Sequence, residues 1–294
     1  CALFNVPLSL LPEVKDSAAD FGVSDIFGPQ LPIRGVAGDQ QAALVGQAGF
    51  NPGDVKSTYG TGAFLVLNTG AELKRSHSRL LSTIAYRVAG RTAYALEGSI
   101  FSAGATIQWL RDGLKAINAS RESEAIAASL PDNGGVYLVP AFVGLGAPQW
   151  DADARGTIVG LTRDTKAAHL VRAGLEAVAY QTRDLLEAMK ADGAPAIATL
   201  LVDGGMTANS WAMQFLADVC GVAVERPAYQ EVTALGAAKL AALGAGLITD
   251  LAATERPGTI RWAPKMGAAE RARLVKGWEA AVKATLSVAR DARA

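Results

Sequence analysis

What most limits the folds open to this chain is the order in which its apolar periodicity changes. Two stretches of strand character, 56–58 and 64–68, flank the tight turn Tyr59-Gly60-Thr61-Gly62, and a second hairpin is expected over 81–96, turning at Ala89-Gly90-Arg91. Together they are expected to form an antiparallel meander. Helical spacing then takes over. Ile107, Leu110, Leu114 and Ile117 recur on one helix face, and Val171, Leu175, Val178, Leu185 and Met189 line a long helix with Arg183 and Glu187 outside. Strands expected at 136–140, 157–161 and 199–202 alternate with these helices. The last strand runs into Gly204-Gly205 and a helix through Trp211, Phe215 and Val219. A core helix follows over 232–243, and an amphipathic helix over 271–290 closes the chain.

Hairpins first, then strand–helix alternation, predict an α/β fold: a ribonuclease-H-like mixed sheet with helices packed on it. Half the residues are hydrophobic, aromatics are 6%, and 31 glycines let helices lie close on a sheet. With 294 residues the chain can bury a large core. The 28 acids balance the 28 bases, so no basic field exists to hold nucleic acid or an anionic membrane, and neither is an expected partner. No apolar run reaches membrane-spanning length. Cys1 and Cys220 are too few and too far apart for a disulfide framework or a metal site, which points to a reducing cytoplasm, and Cys220 reads as a small buried helix residue. The chain opens on Cys1 rather than methionine and carries no leader pattern, so further sequence is expected upstream. Pro7, Pro12, Pro29 and Pro32 make residues 1–34 an irregular incoming segment.

Three places carry chemistry. Asp39 lies where a short strand over 33–37 is expected to pass through glycines into a helix over 40–48. Its carboxylate suits a proton acceptor for a substrate hydroxyl, and equally a helix N-cap. In Ser57-Thr58-Tyr59-Gly60-Thr61-Gly62 the glycines admit a phosphate close to backbone N–H groups, although a plain hairpin turn explains them as well. Asp203-Gly204-Gly205-Met206-Thr207-Ala208-Asn209 runs from strand to helix and would let a purine or phosphate lie on backbone, or is an ordinary turn. A P-loop signature is absent. As a set, a hydroxyl-facing acid, a hydroxylated glycine hairpin and a glycine turn at a strand end are what a phosphoryl-transfer site requires, short of a metal carboxylate.

The blocks GVAGDQQAALVGQAG, STYGTGAFLVLNTG, YALEGSIFSAGATIQWLRDGL, GLGAPQWDADARGTIVGLTRDT, AYQTRDLLEAM, LVDGGMTANSWAMQF and ERPAYQEVTALGAAKLAAL follow one another in the order found in glycerol kinases, and the chain resembles that branch of the FGGY carbohydrate kinases. The resemblance runs over nearly the whole chain. It implies an actin-like ATPase fold of two ribonuclease-H-like domains with ATP in the cleft between them. Residues 35–294 would be the second of these, and residues 1–34 would arrive from the N-terminal domain. The implied reaction is ATP-dependent phosphorylation of glycerol, with ATP and magnesium as cofactors, in a cytoplasmic homodimer.

Carried over by position, Asp39 resembles the general base and, with Gln40, a contact to the triol. Thr61 resembles the threonine near the β- and γ-phosphates, Gly104 and Gln108 the helix residues closing over the nucleotide, and Gly205 and Asn209 the adenosine turn. No metal ligand is assigned here, because the family's metal aspartate and the residues gripping glycerol lie in the N-terminal domain. Gly174 departs from the family pattern, which has a larger residue in that helix; a helix glycine costs roughly 1 kcal/mol against alanine. His77 and His169 read as surface or packing residues. Some relatives carry a Gly-Gly-Thr-Arg loop that binds fructose 1,6-bisphosphate and ties tetramers. The corresponding stretch 25–33 has two prolines and no basic residue, so no inhibition through it is expected and any oligomer would be a dimer using other surfaces. The alternatives are another FGGY sugar or polyol kinase, and a non-catalytic actin-like nucleotide-binding domain. Gln40-Gln41 after the acid argues against the second.

Overall fold

The structure, a computed structural model, describes residues 1–253 and 258–291. The opening residues carry the small hairpin β1 (Val23–Ser24) and β2 (Leu31–Pro32). The expected strand over 33–37 does not form. Residues 33–36 do exchange backbone hydrogen bonds with Ser17, Ala19, Phe21 and Gly22, but only the Gly35–Ala18 bridge has ladder geometry, and a side chain at Gly35 would lie 2.4 Å from the Ala241 nitrogen, so the segment is also fixed by close approach to a helix.

Helix α1 (Asp39–Gly46) leads into the main sheet, formed by β3 (Val55–Tyr59), β4 (Ala63–Gly70), β5 (Leu81–Val88), β6 (Arg91–Ile100), β9 (Thr199–Asp203), β10 (Ala223–Pro227) and β11 (Thr259–Trp262). The spatial order is β11-β10-β9-β3-β4-β6-β5. β3 pairs antiparallel with β4 but parallel with β9, and β9 is parallel to β10, which gives the mixed sheet expected from the hairpin-then-alternation pattern. The first four strands are not a simple meander. β6, not β5, lies against β4, and β5 is displaced to the edge. Burial explains the exchange: β6 buries Ala95, Leu96, Gly98 and Ile100, whereas β5 buries only Ala85.

Helices cover both faces. On one, Tyr59, Leu65, Leu67 and Leu96 pack with Val178, Leu185 and Met189 of α4 (Ala167–Ala191) and with Phe215 and Leu216 of α5 (Ser210–Cys220) in the large core. α7 (Ala268–Asp291) adds Leu274, Trp278 and Val282 to it, and Trp278 stacks on Tyr180. Cys220 is buried in α5, as expected, and unpaired. On the other face α1 sets Leu44 on Val66, Ala85 and Ala95, and Val45 on Leu240 of α6 (Val232–Gly244). The α1–α6 contact is backbone against backbone. A Cβ at Gly46 would lie 1.9 Å from the Val232 oxygen, and one at Gly236 would lie 1.8 Å from the Ala42 oxygen.

Helix α2 (Gly104–Asp112) ends earlier than the apolar spacing suggests. Gly113 takes the C-cap and Lys115 adopts a left-handed φ of 56°, so Ile117 is buried from a loop and not from the helix. α3 (Glu122–Ala128) follows, and β7 (Tyr137–Val139) pairs with β8 (Thr157–Val159) as a separate two-stranded ribbon. Gly174 of α4 has a packing reason: a side chain there would meet Leu110 Cδ1 at 2.7 Å, so its absence lets α2 settle onto α4. His169 accepts the Lys166 N–H at 3.0 Å at the start of α4, a capping role, and His77 is exposed.

Candidate active site

Because β3 and β9 are parallel, their C-terminal ends open at one edge of the sheet, the place where α/β folds gather ligand-binding groups. Two groups of residues are tied to β3, and the second of them lies at these strand ends. The first is built on α1 and the sheet face beneath it. Gly38 is the N-cap of α1 and supplies no side-chain cap, and Asp39 is the first helical residue. The Asp39 carboxylate instead accepts from its own neighbour: the Gln40 N–H at 2.9 Å to Oδ1, and the Gln40 side-chain amide at 3.1 Å to Oδ2. It is exposed, at the positive end of the helix, where a negative charge is favoured.

Behind Gln40 lies a residue that the sequence reading passed over. Lys56 of β3 is fully buried, and its ammonium donates to Gln40 Oε1 and, at 3.0 Å, to Thr58 Oγ1. Strand register sets Lys56 opposite Val66 and Val66 opposite Glu97, while Thr58 pairs with Asp203. The ammonium therefore lies among three carboxylates, on α1, β6 and β9. Burial pulls it down to about 8, opposed by the charges of Asp203, Asp39 and Glu97. Burial also raises Asp203 above the usual carboxylate range against the pull of Lys56 and the hydrogen bond from Gln47, which donates to it at 2.6 Å. Glu97 is raised for the same first cause.

The second group encloses a cavity of about 390 Å³, within the range of small-molecule sites. Ile107, Leu175 and Met206 give it an apolar floor, and Gln108 and Asn209 stand at its polar margin. Gly104 and Gly205 line it for different reasons. A Cβ on Gly104 would lie 2.5 Å from the Gly60 oxygen, which also accepts the Gly104 N–H at 3.0 Å, so this glycine is demanded by docking of the hairpin turn onto α2. Around Gly205 a Cβ would meet nothing within 4 Å, so packing does not require a glycine there. Its neighbour Gly204, with φ 91° and a would-be Cβ 2.5 Å from the Tyr59 oxygen, is structural. Asn209 is the N-cap of α5: it accepts the Ala212 N–H at 2.9 Å and leaves its amide hydrogens for Ser123 Oγ, at 3.3 Å, and for the cavity. Thr61 stands at the exposed tip of the turn. Its carbonyl accepts from the Ala103 and Ala105 N–H groups at 2.9 and 3.0 Å, next to Gly60, which does line the cavity.

The structure thus gathers Gly104, Gln108, Gly205 and Asn209 round one cavity, leaves Thr61 outside its lining, one residue beyond Gly60, and sets Asp39 and Gln40 apart from it. Strand β3 links the groups, with Lys56 toward the acid and Tyr59-Gly60 at the cavity. Lys56, Glu97 and Asp203 were missed as a set. Val55-Lys56-Ser57-Thr58-Tyr59 alternates as a half-exposed strand does, and only the register reveals that α1 covers the polar side. Among the described residues no three His, Cys, Asp or Glu side chains converge as a metal cradle, and no helix is long and apolar enough to cross a membrane.

Parallel and antiparallel pairing round β3, with a glycine-turn cavity at the strand ends, defines a domain of the actin-like ATPase fold. The family model for the FGGY family of carbohydrate kinases, C-terminal domain, matches residues 55–245, and the chain belongs to that family. It is 59% identical over 293 residues to a glycerol kinase of Rhodospirillum centenum, and 57% identical over 294 residues to one of Alcanivorax borkumensis. Those alignments cover 98% and 99% of this chain, which spans about three fifths (59%) of each relative's length. Among solved structures, the Plasmodium falciparum glycerol kinase with ADP matches with a TM-score of 0.89 at 39% identity, covering 97% of this chain and 58% of that one. A xylulose kinase from Rhodospirillum rubrum matches with a TM-score of 0.80 at 27% identity, covering 98% and 59%.

Proposed function

We propose that the protein to which this domain belongs transfers the γ-phosphoryl group of ATP to a terminal hydroxyl of glycerol, with this chain supplying the base and the nucleotide half of the site. The observation that carries the reading is the Asp39 carboxylate: exposed, fixed by two hydrogen bonds from Gln40, and at the start of a helix that packs on β3, the strand that ends at the cavity. In this reading the hydroxyl oxygen attacks the γ-phosphorus, its proton passes to Asp39, and the bond to the β-phosphate oxygen breaks to release ADP. Gln40 keeps the carboxylate aimed and offers an amide to the triol. Thr61 lies near the β- and γ-phosphates. Gly104, Gln108, Gly205 and Asn209 hold the adenosine, with Gly205 admitting it against backbone. Magnesium would enter on the phosphates and spread their charge, and no residue of this chain is assigned to it. Glycerol is preferred over a sugar because the similar full-length proteins named above are glycerol kinases. The enzyme is taken to work in the cytoplasm, where two free cysteines are at home, and to be a homodimer.

A coupled assay on the complete protein, with glycerol, xylulose and gluconate as acceptors, tests this. The expected result is a kcat/KM for glycerol at least about 100-fold above either competitor, since a site that hydrogen-bonds one set of hydroxyls rejects another strongly. Equal or higher values with xylulose would give the chain a different substrate.

A further inference from the structure

We propose that Lys56 is a positioning residue for the reaction: its buried ammonium, held between Gln40 Oε1 and Thr58 Oγ1, fixes the Gln40 carboxamide so that its amide hydrogens face Asp39. The proposal rests on the reading of Asp39 as the base. Its starting point is a fully buried lysine whose bonds lead toward the candidate base and not to solvent. An ammonium has three hydrogens to donate and nothing to accept with. Whatever faces it must therefore be an acceptor, so the Gln40 oxygen turns inward and the Gln40 nitrogen turns out, toward Asp39 Oδ2 at 3.1 Å. A neutral amine accepts as well as donates, and with it the carboxamide can rotate and turn its oxygen on the carboxylate. The orientation of the base's partner is thus set by the charge state of a residue one layer behind.

The surroundings hold that charge. Glu97 on β6, Asp203 on β9 and Asp39 on α1 all act on Lys56 from the elements packed round it, Gln47 at the end of α1 ties Asp203 in place, and β4 presents Val66 in the same row. Lys239 of α6, the other buried amine on this face, donates to the Gly46 oxygen at 3.4 Å, at the far end of α1. Burial works against these carboxylates and brings Lys56 down to about 8, so the clamp is released within an accessible alkaline range.

The experiment follows kcat, the KM values for glycerol and ATP, and the melting temperature of the complete protein from pH 5 to 10, in wild type, Lys56→Met and Lys56→Arg. Lys56→Met is expected to lower kcat roughly 10- to 100-fold, the cost of a misaimed catalytic group, with the KM for ATP unchanged. Wild type loses turnover on the alkaline side near pH 8, whereas Lys56→Arg keeps most of the turnover and holds it beyond pH 9. A folded Lys56→Met with wild-type kcat refutes the proposal, as does one whose lost turnover a folded Lys56→Arg does not restore, the mark of a merely structural role. If Lys56→Met does not fold, Lys56→Arg decides alone: an alkaline limb identical to that of wild type refutes it. A wild-type protein that shows no glycerol-dependent ATP turnover fails at an earlier point and refutes the kinase reading itself.

Discussion

Single side chains divide into those that sequence chemistry exposes and those that only register exposes. Asp39 and the glycines are visible in the sequence, because an acid at a helix start and paired glycines at a strand end, common one by one, here occur together in the order a phosphoryl-transfer site needs. Asp39 nevertheless had two readings, and the hydrogen bonds from Gln40 favour the open carboxylate over the cap. Lys56 does not announce itself, since a lysine in a strand ordinarily faces water. Gly205 yields a clean test: alanine there meets no neighbour, so Gly205→Ala should fold with unchanged stability and bind ADP roughly tenfold more weakly, about 1.4 kcal/mol. Calorimetric titration of the complete protein with ADP checks it, and unchanged affinity would remove Gly205 from the site. Asp184 provides a test of electrostatics away from the site. Burial lifts its carboxyl to about 6 from the ordinary 3.8, although Trp278 Nε1–H donates to it at 2.8 Å. The folded value lies above the unfolded one, so ionised Asp184 opposes folding in full above about pH 6, and the penalty fades as the pH falls toward 3.8. A shift of about 2 units corresponds to about 3 kcal/mol, trimmed by the partial exposure of the side chain to about 1–2 kcal/mol. Asp184→Asn should therefore be more stable than wild type by that amount in urea at pH 8, with the gain shrinking by pH 4.5.

Elements were legible where periodicity was long and glycine marked the ends. α4, α5, α6, α7 and both hairpins lie within a few residues of their expected spans. The losses have local causes. β10 carries Glu225, Arg226 and Pro227, which hide its alternation, and β11 pairs only along one side. α3 begins Glu-Ser-Glu and buries only Ser123 and Ala127, too little to write a face. The order of β5 and β6 depends on which strand has more apolar surface to bury, a comparison that turn chemistry does not make. The α1–α6 contact gives the prediction at this scale. Because a Cβ at Gly236 would fall 1.8 Å from the Ala42 oxygen, two backbones would have to part, and Gly236→Ala should cost at least about 3 kcal/mol in urea unfolding, the upper end of overpacking costs. Since α1 carries Asp39, turnover should fall with it. A cost below about 1 kcal/mol would show that the two helices can separate freely.

At the scale of the molecule, the domain presents a glycine-lined cavity at the ends of β3 and β9 and an exposed carboxylate at the start of α1, and the chain spans 59% of the length of its relatives. The groups that grip glycerol and metal are expected from the remainder, so the chain by itself should not phosphorylate glycerol, and its nucleotide binding should be weak. A coupled assay of the purified chain showing turnover like that of the complete protein would overturn this. The hairpin that spans Val23–Pro32 exposes Ile26 and Phe27 and has no basic side chain, so titrating the complete protein with fructose 1,6-bisphosphate should leave its rate unchanged. Saturable inhibition lost on mutating Gly28, Pro29 and Gln30 would contradict that. The measurement that bears most directly on the central claim is the rate of glycerol-dependent ADP formation by the complete protein carrying Asp39→Asn. A positioned general base contributes roughly 10²–10⁴-fold, so kcat should fall at least about 100-fold while ADP affinity stays that of wild type. Near-normal turnover in that variant would show that Asp39 does not take the proton.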